Sequence, residues 1–310
     1  MKHLYSFLAA FLLVQLSVSA QNDSIKTTLS EVVVTATKTE TPYYALGSTV
    51  TIITSEEISK KQHNTVVELL RSVPGLSIVQ QGGPGKLANV FVRGANSNHT
   101  LVIVDGAEMN DASSPNNAFD FSSMNTNDVD RIEIVRGPQS TLYGSDAIAG
   151  VINIITKRGT DKPQYSFFGE GGSNGYYRGN LSALGSYGNF HYAINVTRNG
   201  SDGVSASDSK FGNKEKDGYT NNFFSSRFGW NFSQDAKLDL IYKFTKAEAS
   251  LDQSEKFGDD PNFTYNVEEQ LFKSGINLSF FNENWKQQFN ASLIKRFSRS
   301  LDLVDQLHPN

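Results

Sequence analysis

The feature that most constrains this chain is a period-two alternation of apolar and polar residues that begins near Pro163. Segments of about ten residues alternate in this way, and turns rich in Gly, Asn, Asp and Ser separate them. In one segment the two faces are Phe224, Phe228, Trp230 and Phe232 against Ser225, Arg227, Gly229 and Asn231. The pattern is typical of transmembrane β-strands, and a soluble β-sandwich is the alternative because its strands alternate too. Aromatic strand ends and a polar opposite face favour the barrel.

The N-terminus predicts export from the cytoplasm. Lys2 and His3 precede an apolar run from Leu4 to Val18, and Val18-Ser19-Ala20 supplies small residues for cleavage. We expect residues 1–20 to be a secretory signal peptide, with an uncleaved anchor as the alternative, because the run is shorter than the about 20 residues of a spanning helix. The later sequence carries no apolar run of spanning length. A membrane location therefore requires a closed barrel, which pairs every backbone group.

A short β-prone run lies within the polar segment of residues 21–42. It consists of Glu31, Val32, Val33, Val34, Thr35 and Ala36. Such a run near a flexible terminus forms either an edge strand of the neighbouring domain or a peptide that adds to the sheet edge of a partner. The spacing by itself favours the edge strand.

Residues 43–158 have the pattern of a compact domain that mixes helices and strands. Thr65 and Glu68 have the spacing of a capping box, and Pro74-Gly75 ends the helix that this box begins. Strands are expected over residues 49–54, 76–80, 89–93, 100–104, 131–135 and 151–156. Asp105-Gly106 predicts a turn, and residues 80–86 and 110–117 predict loops.

Composition excludes several classes of function. The chain of 310 residues has a net charge of −4, five His and no Cys, so nucleic acid, disulfides, thiolate chemistry and a zinc site are not expected. Residues 83–88 fit the Gly-x-Gly-x-x-Ala form of the dinucleotide fingerprint, but a strand is predicted to follow where that fingerprint requires a helix. No pair of nucleophile and base is recognisable in the sequence, and we predict that the protein is not an enzyme.

The domain of residues 43–158 is too large for the interior of a barrel built from residues 163–310 alone. Residues 163–310 supply about seven strands, whereas bacterial barrels begin at about eight strands and then enclose only their own side chains. A domain as long as residues 43–158 cannot fit inside such a closure, and an open sheet would expose two edges to lipid. Either the domain lies outside the barrel or the sequence is the front part of a longer chain, and we expect the latter.

Four motifs within residues 89–159 carry a family resemblance. They are Asn89-Val-Phe-Val-Arg93-Gly94, Leu101-Val-Ile-Val-Asp105-Gly106, Val129-Asp-Arg131-Ile-Glu133-Ile-Val-Arg136-Gly137-Pro138 and Tyr143-Gly-Ser-Asp-Ala-Ile-Ala-Gly150. In order and spacing, this region resembles the plug domain of TonB-dependent outer-membrane receptors. The run Tyr143–Ile148 and the segment Arg93–His99 resemble most the cobalamin receptor branch of that family.

The resemblance implies an α+β plug domain (residues 43–158) inside a transmembrane antiparallel β-barrel of about 22 strands, of which residues 163–310 form the N-terminal part. It implies a location in the outer membrane, in contact with lipid. It also places the TonB box at Glu31–Ala36, so that strand addition to TonB replaces the edge strand as the expected role.

The function that the resemblance implies is import of a scarce ligand, with energy that TonB transmits from its complex in the inner membrane. Cobalamin is the first expected ligand, and an iron–siderophore complex or haem is the alternative within the family. A surface-binding barrel that does not transport, such as an adhesin, is an alternative of another class, as is a soluble periplasmic sandwich.

Candidate site residues follow from the resemblance. Ligand contacts are expected from the outward loops of the plug, at Pro84, Gly85, Lys86, Leu87, Asn89, Ser113, Asn116 and Asn117. No cofactor is required. Cobalamin receptors carry calcium in extracellular loops, and the acids that suit Ca²⁺ in comparable loops are Asp217, Asp252, Asp259 and Asp260, with solvated loop acids as the alternative.

Four charges lie in the otherwise apolar plug motifs, at Arg93, Arg131, Glu133 and Arg136. Buried charges must be paired. Within a barrel these residues form either reversible ion pairs between plug and barrel or salt bridges within the plug, and the sequence supports both interpretations equally.

Overall fold

A computed structural model describes residues 33–35, 41–42, 47–111, 114, 116–205, 216–251, 263–280 and 285–301. The expected signal peptide and most of residues 21–42 lie outside this part of the chain. The candidate site residues that also lie outside it are Glu31, Val32, Ala36, Ser113, Asp252, Asp259 and Asp260.

The first part of the chain forms short strands and helices. In chain order they are β1 (Val33–Val34), β2 (Thr41–Pro42), β3 (Thr49–Ile53), α1 (Ser55–Lys61), α2 (Val66–Arg71), β4 (Leu76–Gln80), β5 (Ala88–Val92), β6 (Thr100–Val104), β7 (Ala107–Glu108), β8 (Val129–Arg136), α3 (Ser140–Tyr143) and β9 (Gly150–Thr156). Single 3-10 turns occur at Ser97–His99 and Ser145–Ala147. Residues 47–158 are called the plug below.

Capping boxes determine where the two longer plug helices begin. The hydroxyl of Thr65 accepts the backbone N–H of Glu68 at 3.3 Å, and the Glu68 carboxylate accepts the backbone N–H of Thr65 at 3.2 Å. The box predicted at α2 is therefore confirmed, and Thr54 and Glu57 form a second one at α1. No helix in the described part of the chain is long and apolar enough to span a membrane.

A five-stranded sheet in the order β3-β8-β9-β6-β7 forms the centre of the plug. Within it β6 and β9 run parallel, and the other neighbouring strands run antiparallel. Alternation along β8 directs Ile132 and Ile134 to the larger apolar cluster, which α2 covers with Leu69 and Leu70. The other face carries a smaller cluster that includes Val135. Each fully buried aliphatic side chain stabilises the plug by about 1.5–3 kcal/mol.

The second part of the chain forms one antiparallel sheet of seven strands in sequence order, the number expected. Its strands are β10 (Gln164–Gly171), β11 (Tyr177–Tyr187), β12 (Phe190–Ser201), β13 (Tyr219–Asn231), β14 (Ala236–Ser250), β15 (Thr264–Phe280) and β16 (Trp285–Leu301). This sheet is called the barrel sheet below. Short connections (188–189, 232–235 and 281–284) lie at one end, and the longer ones (202–218 and 251–263) lie at the other. The long-connection end is the outward end, since outer-membrane barrels have short periplasmic turns.

The two faces of the barrel sheet differ as the alternation predicts. Phe228, Trp230 and Phe232 are 37%, 48% and 63% exposed on the face away from the plug. Ser225 and Arg227 are buried on the opposite face, which packs against the plug. A soluble sandwich would bury an apolar face instead, so the polar inner face agrees with a barrel around a plug.

Replacing Gly150 at the start of β9 tests how tightly the plug strands pack. A Cβ added at Gly150 would lie 2.3 Å from the carbonyl oxygen of Val135 on β8, so Gly150→Ala forces the two central strands apart. We expect the free energy of unfolding of the plug to fall by about 2–4 kcal/mol, as measured by urea denaturation of the full protein in detergent. Gly47→Ala is the control, because a Cβ there meets nothing within 4 Å. Equal stability of the two variants would contradict this packing.

Candidate functional site

The loop between β4 and β5 lies at the outward end of the plug, where the sequence predicts ligand contacts. Its turn is closed by a hydrogen bond from the backbone N–H of Lys86 to the carbonyl oxygen of Gly83 at 3.3 Å. Among the predicted contacts, Pro84 is exposed, Leu87 and Asn89 are half-buried, and Gly85 and Lys86 are buried. The tip of the loop at Pro84 is therefore the part that a ligand reaches first.

Lys86 and Asp217, which the sequence assigns to different sites, form one ion pair. The Lys86 ammonium lies 3.1 Å from a carboxylate oxygen of Asp217, and the two side chains are 4% and 5% exposed. Gly85 beside it contacts Tyr219 so closely that an added Cβ would lie 2.1 Å from the ring. The pair holds the plug loop against the outward end of the barrel sheet, and breaking it would leave a buried charge without compensation.

Of the four candidate calcium ligands, Asp217 lies within the described residues. Asp217 contacts the Lys86 ammonium at 3.1 Å. No group of three or more His, Cys, Asp or Glu with metal-binding geometry occurs within the described ranges. For Asp252, Asp259 and Asp260, which lie outside those ranges, the assignment to calcium stays a prediction.

The second predicted ligand loop, after β7, is held by amide side chains. The Asn110 side chain accepts the backbone N–H of Val102 at 2.9 Å and donates to the carbonyl oxygen of Asn117 at 3.2 Å. Asn117 donates in turn to Asp146 at 2.8 Å, so its amide supports the loop from within. Asn116 is exposed and is the residue of this pair that a ligand can reach.

Arg296 of β16 connects both ligand loops to the barrel sheet. Its guanidinium lies 3.7 Å from Asp111 in the second loop, 3.5 Å from Asp120 and 2.8 Å from Glu269 of β15. Asp120 accepts the backbone N–H of Ala88, where the first loop ends, at 3.0 Å. One cationic side chain of the barrel sheet is thus shared among carboxylates that position both outward loops.

Asp105 is the centre of a second set of contacts between plug and barrel sheet. The sequence predicts a turn here, and Asp105 has a φ of 51°, in the left-handed region. Its side chain is 1% exposed and lies 3.2 Å from Arg227 and 4.0 Å from Lys243. Thr156 donates to the same carboxylate from its backbone N–H at 3.0 Å and from its hydroxyl at 2.6 Å.

Neighbouring contacts extend this set along the inner face of the barrel sheet. Lys243 lies 2.8 Å from Asp128 of the plug, and Arg227 lies 3.2 Å from Asp239 of β14. The Lys273 ammonium donates to the backbone carbonyl of Asp105. Cations of β13, β14 and β15 therefore converge on one turn of the plug.

The surroundings of Asp105 keep it ionised. Burial by itself raises the pKa of the Asp105 carboxyl group. The charges of Lys243 and Arg227 and the hydrogen bonds from Thr156 outweigh burial, so the pKa lies below its ordinary value of 3.8. The charged form of Asp105 is thus the form that binds the plug to the barrel sheet.

The described contacts of the four charges in the plug motifs lie within residues 33–158. Arg131 lies 2.9 Å from Glu133 and 3.4 Å from Asp130, both in the plug. Arg136 donates to the hydroxyl of Thr51 at 2.8 Å, and Arg93 donates to that of Thr49 at 3.2 Å. The alternative of salt bridges within the plug therefore describes Arg131, because residues two apart on a strand share a face and reach each other first, whereas Arg93 and Arg136 donate to plug hydroxyl groups. Ion pairs of these residues with a barrel wall stay a prediction.

Glu133 has a further contact, with the predicted TonB box. Its carboxylate accepts the backbone N–H of Thr35 at 2.8 Å and the Thr35 hydroxyl at 3.1 Å. Just before Thr35, Val33 and Val34 pair with Pro42 and Thr41 in a short antiparallel ladder. The described part of the predicted box is therefore joined to the central sheet of the plug.

Sequence reasoning missed most of the residues that connect plug and barrel sheet. They are Asp105, Asp111, Asp120, Asp128, Arg227, Lys243, Glu269, Lys273 and Arg296. The available signal is a charged residue on the polar face of an alternating strand, as at Arg227 and Lys243. That signal predicts an inward-facing charge but not which plug carboxylate it meets.

Asp105→Asn tests whether this turn holds the plug in place. The neutral amide leaves Arg227 with Asp239 and Lys243 with Asp128, so we expect the plug to lose about 2 kcal/mol of stability against urea. Asp130→Asn is the matched control, because Asp130 is 41% exposed and pairs within the plug, and it should change stability by less than about 0.5 kcal/mol. Equal losses of stability in the two variants would show that the Asp105 contacts stabilise the plug no more than the exposed pair of Asp130 does.

The lowered pKa of Asp105 also predicts how stability depends on pH. Because the folded-state pKa lies below the ordinary 3.8, the contribution of Asp105 is fully present above that pH and is lost as the pH falls through the lowered value. The free energy of unfolding, measured in urea from about pH 5 to about pH 2, should therefore fall more steeply in the parent protein than in Asp105→Asn. Parallel profiles would contradict the assignment.

Comparison with known proteins agrees with this architecture. Residues 44–151 match the family model described as TonB-dependent Receptor Plug Domain. The chain is 32% identical over 261 residues to the vitamin B12 transporter BtuB of Photobacterium profundum, a match that covers 84% of this chain and 42% of that relative. The chain thus spans less than half of the length of this curated relative.

Solved structures share the fold. The siderophore receptor PirA of Pseudomonas aeruginosa superposes with a TM-score of 0.59 at 25% identity, over 81% of this chain and 41% of that one. The ferripyoverdine receptor of the same species superposes with a TM-score of 0.70 at 14% identity, over 89% of this chain and 38% of that one. The chain belongs to the TonB-dependent receptors, a family of outer-membrane proteins, and carries the plug domain together with strands that resemble the start of their barrel.

Proposed function

We propose that the complete protein imports cobalamin across the outer membrane with energy supplied through TonB. The observation that carries the ligand assignment is the 32% identity to a vitamin B12 transporter over 84% of the chain. A ferric siderophore complex is the second candidate, supported by the 25% identity to a siderophore receptor. The ligand leaves unchanged in either case, and no bond of it is broken.

The arrangement of the outward loops supports binding at the plug. Pro84 and Asn116 are exposed at the tips of two loops that ion pairs fix to the barrel sheet. Loops fixed in this way have lost much of their conformational entropy before the ligand arrives, which favours binding. A Ca²⁺ site formed by Asp252, Asp259 and Asp260, in the connection of residues 251–263, stays part of the proposal because carboxylate oxygens suit this ion.

The position of the predicted TonB box supports coupling by strand addition. Val33 and Val34 already have extended backbone, with one edge paired to β2. An extended segment recognised through its main chain is the feature that β-strand addition requires. TonB would take up residues 31–36 as an added strand and transmit force from its inner-membrane complex to the plug, while the exposed aromatic face of the barrel sheet contacts lipid.

Titration of the complete protein with cyanocobalamin, with and without Ca²⁺, tests the ligand. We expect saturable binding that Ca²⁺ strengthens. No binding at micromolar cyanocobalamin, together with binding of a ferric siderophore, would replace the first ligand by the second. No binding of cyanocobalamin with or without Ca²⁺ would remove the cobalamin assignment, and binding whose affinity Ca²⁺ leaves unchanged would remove the calcium assignment.

Deletion of residues 31–36 tests the transport class. We expect the variant to bind ligand as the parent does and to lose uptake into cells, because the partner then has no strand to add to. Deletion of residues 24–29, an equally long part of the same polar segment, is the control and should leave uptake intact. A non-transporting adhesin would bind its target equally well in both variants and would show no uptake in either.

A further inference from the structure

Two cavities lie between the plug and the barrel sheet, at different depths along the strands. The outer cavity, of about 460 Å³, is lined on the sheet side by Phe223 and Thr245, among others. The inner cavity, of about 310 Å³, is lined by Ser225 and Ile241 of the same two strands. On both β13 and β14 the residue of the outer cavity lies closer to the end with the long connections, so the outer cavity is nearer to the outward end.

One ion pair stands where the two cavities meet. Of the described residues, Asp128 of the plug and Lys243 of β14 are the two that line both cavities, and they are called the partition pair below. The Lys243 ammonium lies 2.8 Å from the Asp128 carboxylate, and the two side chains are 11% and 8% exposed. Along β14, Lys243 lies between Ile241 of the inner cavity and Thr245 of the outer cavity, about 7 Å from each. The partition pair therefore forms the wall that the cavities share.

Each cavity contains a polar group without a partner in the protein. Nδ2 of Asn125 in the outer cavity and Nδ2 of Asn195 in the inner cavity are buried, and neither has a hydrogen-bond partner within the described residues. A buried donor of this kind is costly, and a small hydrogen-bond acceptor in the cavity removes the cost. Each cavity has room for several water molecules, which occupy about 30 Å³ each in the liquid. Both cavities are thus suited to water or another small polar molecule.

The remaining lining favours neutral molecules over ions. Apolar side chains, including Met109 and Phe119, line the outer cavity and offer an ion little in place of its hydration shell. The inner cavity carries hydroxyl groups, as at Ser182 and Ser225, which donate to and accept from neutral polar solutes equally well.

We propose that the two cavities form one passage for water and small neutral polar solutes, and that the partition pair closes it. The inference goes beyond the proposed function, since such solutes would cross along the plug without the receptor's ligand and without TonB. Its consequence is that the partition pair keeps the boundary between plug and barrel sheet impermeable while the plug is in place.

The other charged groups of the cavities do not separate them. Arg227 lines the inner cavity and lies 3.2 Å from Asp105, and Glu269 lines the outer cavity and lies 2.8 Å from Arg296. Loss of either contact would change one cavity and leave the shared wall in place. Neutralising one member of the partition pair removes the attraction across that wall and leaves the other member as a buried charge, which draws water in.

Swelling of proteoliposomes that contain the complete protein measures this passage. Entry of arabinose, a neutral pentose, is followed by light scattering, and raffinose, a trisaccharide, is the size control. Lys243→Met and Asp128→Asn each neutralise one member of the partition pair, whereas Lys243→Arg keeps the charge. Lys86→Met is the matched control, because it breaks another buried ion pair between plug and barrel sheet and Lys86 lines neither cavity.

We expect arabinose entry to rise about tenfold in Lys243→Met, because the closed arrangement loses its charge pair. Asp128→Asn should change entry in the same direction and provides the test if Lys243→Met does not fold. Lys243→Arg and Lys86→Met should behave as the parent, and raffinose should stay outside in every variant. Arabinose entry at the parent rate in both neutralised variants, or an equal rise in Lys86→Met, would overturn the proposal.

A thiol in the inner cavity tests the route itself. The 310 residues contain no cysteine, so Asn195→Cys carries the only thiol once any cysteine beyond this sequence is replaced by Ser. Labelling this thiol with a benzyl methanethiosulfonate should abolish the additional arabinose entry of Lys243→Met, because the label fills the inner cavity. Entry that persists in fully labelled protein would show that the solute passes elsewhere, and would overturn the proposal even if Lys243→Met loosens the whole plug.

Discussion

Buried charge at the inner face of the barrel sheet is the constraint on which the rest of the structure depends. The side chains of Arg227, Lys243 and Arg296 are 9%, 11% and 7% exposed, and a cation removed from water in this way is costly without a carboxylate. The plug supplies the carboxylates at its turns and loops, as at Asp105 and Asp128. Asp239 and Glu269 of the barrel sheet satisfy part of the charge of Arg227 and Arg296, and carboxylates of the plug contact the same two cations, so the two halves stabilise each other although their sequence patterns are unrelated.

The elements were predictable because each depends on local or periodic signals. The capping box of Thr65 and Glu68 involves residues three apart, and strand alternation repeats every two residues. The ion pairs were not predictable, because Lys86 and Asp217 are 131 residues apart. The Lys86 ammonium needs a carboxylate partner, and any inward-facing acid would meet that need. The contact of Arg131 with Glu133 is an exception, since their spacing places both side chains on one face of β8.

The plug combines an apolar interior with a polar boundary, and the two resist force differently. Its central strands bury Ile132 and Ile152 completely, so the sheet is the part of the plug that resists local unfolding most. At the boundary, ion pairs and hydrogen bonds hold Asp105 and Asp120, and water can replace such contacts one at a time as they open. An apolar boundary would lose all its burial energy at once. A polar boundary of this kind holds the plug through contacts that can open separately.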